Sequence, residues 1–386
     1  MGYPPSVTDG PARPFALRAD QQRLAAEVRA LAHQVLTPLA AAGTPGRVNR
    51  PLVAALGEHG LLGRALSGSA MELCLLREAL ATVSTEAETA LALQGLGGHP
   101  IAAATGPVRQ RWVPEIAAGR AVAAFALSEP DAGSDAAALE LRAEPDGDGF
   151  RLTGTKTWIS NAPEADVYTL FARTTPGARG RGITAFAVPG DAPGLGGAPI
   201  ELLAPHAIGR LELDGVRAGP DQVLGRADEG FALAMATLDR FRPSVGAFAV
   251  GMAQAALDAA VAHAGGRRAF GRPLAEFQAV AHALAEAATR TQAARLLVYE
   301  AASRYDADPA APGVGRASAM AKLYATETAQ AVVDAAVQVL GARALERGHL
   351  LEHLYREVRA PRIYEGTSEI QRAVIARDLF RATVIR

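Results

Sequence analysis

Residues 363–372 read Ile-Tyr-Glu-Gly-Thr-Ser-Glu-Ile-Gln-Arg. Gly366, Thr367 and Ser368 signal a turn with a helix N-cap, and Glu369 follows in the first turn of that helix. Glu365 stands just before the turn, where a carboxylate can be held at the mouth of a cavity. Taken singly it would be a surface-loop glutamate, but the ten-residue string as a whole is more specific than that. Working outward, the pattern is helical over 367–383 and, upstream, over 229–264, 274–305 and 316–341. These runs are rich in alanine, the strongest helix former. A linker of Asp, Pro and Ala from Asp306 to Gly315 separates two of them. Four long helices with short connections suit a bundle.

Further upstream the composition changes. Ala123–Leu127, Leu139–Ala143, Phe150–Ile159, Val167–Ala172, Ile183–Val188 and Leu211–Leu213 read as strands between turn formers. Pro145-Asp146-Gly147-Asp148-Gly149 is a hairpin signal, and the Gly- and Pro-dense segment 176–199 reads as loops. Before Gly119 the apolar spacing is helical again: from Leu17 to Val35, Pro51 to Leu62, Met71 to Val83, Glu88 to Thr105 and Pro107 to Ala118. The fold class is therefore α+β: an N-terminal helical domain (1–120), a small β-barrel-like middle domain (121–228) and a C-terminal four-helix bundle (229–386).

The chain has 386 residues, 39 Lys+Arg against 40 Asp+Glu, 49% hydrophobic residues and one cysteine, Cys74. The balanced charge gives no basic field for nucleic acid. One cysteine excludes an internal disulfide framework and multi-cysteine metal sites. Met1 to Leu17 lacks the pattern of a signal peptide, and the apolar stretch near Val245 to Ala264, broken by Gln254, Asp258 and His263, is short of a membrane span. A cytoplasmic protein without membrane partners is the expectation. His349-Leu350-Leu351-Glu352-His353 has the H-x-x-E-H form of some zinc sites, but no histidine follows it and no metal is expected there.

The string 363–372 resembles the catalytic segment of the acyl-CoA dehydrogenases, and the α–β–α order is that of this family. Phe125-Ala-Leu-Ser-Glu-Pro-Asp-Ala-Gly-Ser-Asp135 resembles the family's flavin-binding strand and loop. Thr153-Gly-Thr-Lys-Thr-Trp-Ile-Ser-Asn161 is similar to its second flavin-contacting strand, and Arg267–Gln278 to a further motif. The resemblance covers nearly the whole chain from about Leu17. It implies non-covalent FAD, held by Phe125, Leu127, Ser128, Gly133, Ser134, Trp158, Ile159, Ser160, Thr367 and Glu369. Arg267, Phe270, Gln278, Gln338 and Gly341 would reach a neighbouring subunit's FAD. Ser134, Asp239, Arg242 and Gly366 would contact the acyl-CoA. Asp239 and Arg242 share a helix face, and Pro243, lacking an N–H, leaves the Asp239 carbonyl without its helical partner, so a bend is expected there.

The implied reaction is α,β-dehydrogenation to the 2-enoyl-CoA, with Glu365 as base and hydride transfer to the flavin. A homo-oligomer, a tetramer by resemblance, and an electron-transfer flavoprotein as acceptor are implied partners. The sequence departs from the family at Ala342 and Ala344, where glycines are usual, in a trimmed stretch near Arg64 to Ala70, and in the abbreviated loop Leu203 to Leu211. Phe241 stands where one subgroup carries its base, so Glu365 is the remaining candidate, and Phe241 is expected to narrow the acyl pocket. Two other readings share these features: a flavin monooxygenase of the same fold, against which Glu365 argues, and a non-catalytic FAD- or acyl-CoA-binding paralogue.

Overall fold

Side-chain caps start the N-terminal helices where the sequence offers them. Asn49, Ser69 and Ser84 each accept a backbone N–H three residues on, satisfying donors that a helix start leaves orphaned. The computed structural model describes residues 16–384, with side chains as far as Arg381. The reading of residues 1–15, and the outermost ends of the first and third predicted domains, lie outside the described residues.

The N-terminal helices are α1 (Ala19–Leu31), α2 (Thr37–Ala41), α3 (Arg50–Glu58), α4 (Leu61–Ser67), α5 (Ala70–Ala81), α6 (Thr85–Ala103) and α7 (Pro107–Ala117). A π-helical turn, Ala32–Leu36, joins α1 to α2. The single helix expected over Pro51 to Leu62 is two, because Gly60 adopts φ +72° between them.

Eight strands follow: β1 (Ala123–Ala126), β2 (Arg142–Asp146), β3 (Gly149–Ser160), β4 (Val167–Arg173), β5 (Ile183–Pro189), β6 (Leu195–Pro199), β7 (Ile208–Ala218) and β8 (Val223–Leu224). They form one sheet in the order β6-β7-β3-β2-β4-β5-β8, with β1 parallel to β4 beside that path. The β2–β3 hairpin closes at Asp146 and Gly149, as the turn residues indicate. Strand β6 corrects the expectation of loop over 176–199. It is an edge strand whose residues are mostly exposed, with two glycines, so it carries no alternating apolar pattern to read.

The chain ends in α8 (Gly230–Gly266), a short ribbon β9 (Arg268–Ala269) and β10 (Arg272–Pro273), α9 (Gln278–Ala307), α10 (Val314–Leu340), α11 (Leu350–Glu357) and α12 (Ser368–Val384). Helices α8, α9 and α10 pack on one another, α12 joins through α10, and α5 leans on α8 and α9. By length and composition α8 is apolar enough to cross a membrane, which corrects the reading of residues 245–264 alone. Yet 72% of its most apolar window is buried within the chain, the surroundings of a central core helix. It runs unbroken through Pro243 because Ser318 Oγ of α10 donates to the orphaned Asp239 carbonyl at 3.3 Å.

Helix α6 ties the helical end to the sheet. The Gln94 side chain accepts from Ala123 N–H and donates to the Ala121 carbonyl, and Thr169 Oγ1 of β4 donates to the Gly97 carbonyl at 2.7 Å. A Cβ on Gly97 would sit 2.6 Å from Ala124 N, whereas one on Gly63 in α4 meets nothing within 4 Å. Gly97→Ala should therefore lower stability in urea by about 1–3 kcal/mol through overpacking, while Gly63→Ala should be neutral or mildly stabilising. Equal midpoint shifts for the two variants would contradict this packing.

Candidate active site

Where α12 begins, the expected turn forms. Thr367 Oγ1 accepts the Ile370 N–H at 3.3 Å, making Thr367 the cap and Ser368 the first helical residue. Glu365 and Gly366 adopt φ +51° and +90°, a region disfavoured for a residue with a side chain. Three donors hold their carbonyls. Arg242 Nε reaches the Glu365 oxygen at 3.3 Å, Lys322 Nζ reaches that of Gly366 at 2.7 Å, and Gln371 Nε2 bridges both at 3.1 and 3.0 Å. Arg242 is oriented in turn by Asp239, 2.6 Å from its Nη1.

Glu365 lines a cavity of about 980 Å³. Its Oε2 is buried without a hydrogen-bond partner among the described residues. Burial raises its pKa above the ordinary carboxylate value, and this outweighs the pull of Arg77, Arg242 and Lys322 in the other direction. A buried acid that can lose its proton and is not neutralised by a bonded partner is suited to proton transfer. Burial likewise lowers the Lys322 ammonium, to about 8, against the opposing charge of Glu365.

The opposite wall comes from the sheet. Between Lys156 and Ile159, β3 bulges against β7, and Trp158 takes φ +60° in the bulge with its side chain 55% exposed. Bulges of this kind re-aim a side chain beside a site, and Trp158 lines the cavity. Two contacts pin the bulge to the loop after β1. The Thr157 N–H donates to the Ser128 carbonyl, and Lys156 Nζ donates to the Leu127 carbonyl at 2.9 Å and to Glu129 Oε1 at 2.8 Å. Glu129 also accepts the N–H groups of Glu140 and Leu141. Burial lowers the Lys156 ammonium to about 8.

Of the residues singled out from sequence, Phe125, Leu127, Ser128, Gly133, Ser134, Trp158, Ile159, Ser160, Asp239, Arg242, Glu365 and Gly366 all line this cavity. Thr367 and Glu369 do not: the Thr367 hydroxyl is taken by its capping bond, and the Glu369 side chain is 79% exposed. Arg267, Phe270, Gln278, Gln338 and Gly341 all lie on the exposed surface, away from the cavity. Phe241 is not in the cavity wall either. It is fully buried against His99 and Gly95, which corrects the expectation that it narrows the pocket.

Sequence reasoning missed Lys322, Gln371 and the charged pair Arg77–Glu88. A signal for the first was present: the chain contains two lysines, Lys156 and Lys322, and both are fully buried at this site. The H-x-x-E-H residues are otherwise engaged. His349 caps α11, Glu352 pairs with Arg356, and His353 Nε2 meets Thr85 Oγ1.

Three models of one family match the chain in sequence: the N-terminal domain of the acyl-CoA dehydrogenases over residues 18–120, the middle domain over 124–216 and the C-terminal domain over 228–380. A probable acyl-CoA dehydrogenase of Mycobacterium tuberculosis, FadE25, is 35% identical over 379 residues, covering 95% of this chain and 97% of that one. Among solved structures, a chain from work on the electron transferring flavoprotein of Acidaminococcus fermentans gives a TM-score of 0.89 at 33% identity, covering 95% and 99% of the two chains. A glutaryl-coenzyme A dehydrogenase in complex with glutaryl-CoA gives 0.87 at 31% identity, covering 95% and 96%. A glutaryl-CoA dehydrogenase of Mycobacterium smegmatis in complex with FADH2 gives 0.86 at 28%, covering 94% and 95%.

The geometry of Glu365 makes a prediction that needs no substrate. Because its folded pKa lies above the unfolded value near 4.5, the folded chain binds the proton more tightly. Stability is then lost as pH rises from the unfolded pKa through the folded one. Glu365→Gln, neutral throughout, should be more stable than the parent at pH 8, and the difference should shrink toward pH 4. Urea titrations at the two pH values check this, and a pH-independent difference would contradict it.

Proposed function

The chain belongs to the acyl-CoA dehydrogenase family, and we propose that it oxidises an acyl-CoA thioester to the 2-enoyl-CoA with Glu365 as the base. The observation that carries this reading is Glu365 Oε2: buried, unpartnered and on the wall of the same cavity as Trp158.

The cavity fits FAD. The hydroxyls of Ser128, Ser134 and Ser160 line it and make no hydrogen bond within the described residues. A Cβ on Gly133 would meet nothing within 4 Å, so the loop leaves room for a close approach, and the exposed Trp158 offers a flat apolar face. Phe125, Leu127, Ser128, Gly133, Ser134, Trp158, Ile159 and Ser160 would hold the cofactor. The relative solved with FADH2 supports this assignment. FAD, when bound, supplies the acceptor for the hydride that leaves the β-carbon.

The chain's own residues do the rest. Glu365, as carboxylate, takes the α-proton at Oε2. A glutamate of ordinary pKa, about 4.3, is a weak base for carbon, and burial shifts Glu365 toward the task. The clamp from Arg242, Lys322 and Gln371 fixes where the carboxylate sits, so little reorganisation remains for the transition state. The Glu365 N–H makes no hydrogen bond among the described residues and is a candidate donor to the thioester oxygen, where negative charge builds as the proton leaves. Electron transfer onward to an electron-transfer flavoprotein belongs to the same proposal, supported by the likeness to the chain solved in work on such a protein.

The surface residues point to assembly. Phe270 is 95% exposed and holds φ +49° in the β9–β10 turn, an arrangement that brings its own chain little burial. Arg267, Gln278, Gln338 and Gly341 are also exposed. We assign these five to a neighbour's FAD in a homotetramer, with the Arg267 guanidinium suited to pyrophosphate.

Two outcomes test the proposal. Anaerobic mixing with a thioester that bleaches the flavin of the parent protein should leave Glu365→Gln oxidised, or slower by about 10²–10⁴-fold, with FAD retained. In the parent, kcat/KM should rise with pH as the raised carboxyl ionises. Bleaching at an unchanged rate would remove Glu365 from its role. Separately, Arg267→Ala should lose FAD on gel filtration while its far-ultraviolet spectrum matches the parent. A flavin-loaded monomer by light scattering would overturn the assembly.

A further inference from the structure

Arg77 and Glu88 place a charged pair in the cavity wall beside Leu93, Leu96 and Phe248, and Ser244, outside the wall, stands behind Arg77. The three come from separate helices, α5, α6 and α8. Arg77 Nε donates to Glu88 Oε1, and Nη1 donates to Ser244 Oγ at 2.7 Å. Arg77 is 3% exposed and Glu88 1%. A buried ion pair is seldom more stabilising than well-packed apolar side chains of the same volume. The place of this pair in the cavity wall makes it available to a bound ligand.

The pair is incompletely used. Arg77 Nη2 has no hydrogen-bond partner among the described residues, and Arg77 lines the cavity. Among the described residues Glu88 Oε2 has only Thr89 Oγ1, at 3.4 Å. The charges, by contrast, are balanced. Arg77 is matched by Glu88, and His206, also in the cavity wall, is matched by Glu357 at 2.7 Å. A carboxylate on the ligand at this patch would meet Glu88 with Arg77 and His206 already matched, while Arg242 and Arg377, the other cations of the wall, face Asp239. An ammonium would meet Arg77 and His206. Either would be a buried charge without a free counter-ion. A neutral oxygen imposes no such charge and can accept the unused N–H.

Resting on the reaction proposed above, we propose that the acyl group of the substrate carries a neutral oxygen function, a carbonyl or hydroxyl, along its chain beyond the reacting carbons, and that its oxygen accepts from Arg77 Nη2. Arg77 and Glu88 are then the residues that set acyl specificity, and a plain alkyl chain is the poorer substrate because it leaves that N–H desolvated and unpaired.

The test compares ketones with their methylene isosteres on the FAD-loaded oligomer: 5-oxohexanoyl-CoA with hexanoyl-CoA, and 6-oxoheptanoyl-CoA with heptanoyl-CoA. Glutaryl-CoA and a thioester with a terminal trimethylammonium are the charged controls. Two readouts are taken, kcat/KM from anaerobic flavin bleaching and Kd from calorimetry on the oxidised protein. At least one ketone should be favoured over its isostere by on the order of tenfold, the worth of one hydrogen bond to a charged donor, and both charged thioesters should be weaker. The double variant Arg77→Met/Glu88→Met, which removes both charges together, should lose the preference. If it fails to fold, Arg77→Lys, which keeps the charge and gives up the planar fork, should reduce it. Equal or better use of the alkyl thioesters, preference for glutaryl-CoA, or a ketone preference surviving the double variant would each overturn the inference. If no thioester bleaches the flavin, it is the dehydrogenase reading that fails, and the ketone-against-methylene ratio of Kd still decides the role of Arg77.

Discussion

The carbonyl oxygens of Glu365 and Gly366 are acceptors on which Arg242, Lys322 and Gln371 converge, and the placement of the Glu365 carboxyl depends on that convergence. Positive φ at a glutamate costs on the order of 1–3 kcal/mol, so the turn before α12 would relax if nothing held it. The donors come from three helices, α8, α10 and α12, so the carboxyl stays in place only while the bundle is assembled. Pro243 and Ser318 belong to the same arrangement: the carbonyl that the proline frees on α8 is taken by α10, one helix turn from Arg242. Fold stability and the geometry of the Glu365 carboxyl therefore share the same contacts.

The sheet meets this arrangement with a second buried cation. Lys156 holds the bulge of β3 against the loop after β1, and with it the position of Trp158. Lys322 donates to the Gly366 carbonyl, next to Glu365 of positive φ, and Lys156, two residues before Trp158 of positive φ, donates to the Leu127 carbonyl. An ammonium on a flexible stem can reach a single carbonyl deep in a core with a compact head. Both lysines of the chain serve in this way.

Much of this was legible in the sequence. The cap at Thr367, the hairpin at 146–149 and the α–β–α order follow from local chemistry, which acts over a few residues and leaves a local trace. The string 363–372 and the two flavin-type segments marked the residues that line the cavity. What was not legible is what distant elements decide. Strand β6 pairs at an edge and buries little, so it shows no period. Phe241 sits one residue from Arg242 yet faces the core, because a step along a helix turns the side chain by about 100°. Arg77 and Glu88 stand in apolar helical runs, and only the packing of α5, α6 and α8 shows that they meet beside the cavity. Thr367 and Glu369 illustrate the reverse: a segment can be recognised correctly while the helix it starts carries some of its side chains away from the site.

Proton exchange reports removal of the α-proton by Glu365 without oxidation. The FAD-loaded protein is incubated in D2O with an acyl-CoA whose β-carbon is replaced by a group that cannot release hydride, and deuterium at the α-carbon is followed by mass spectrometry. The account predicts α-deuteration by the parent protein, faster as pH rises through the raised carboxyl pKa, and none above background with Glu365→Gln despite unchanged thioester binding. Exchange at the parent rate in the variant would contradict it.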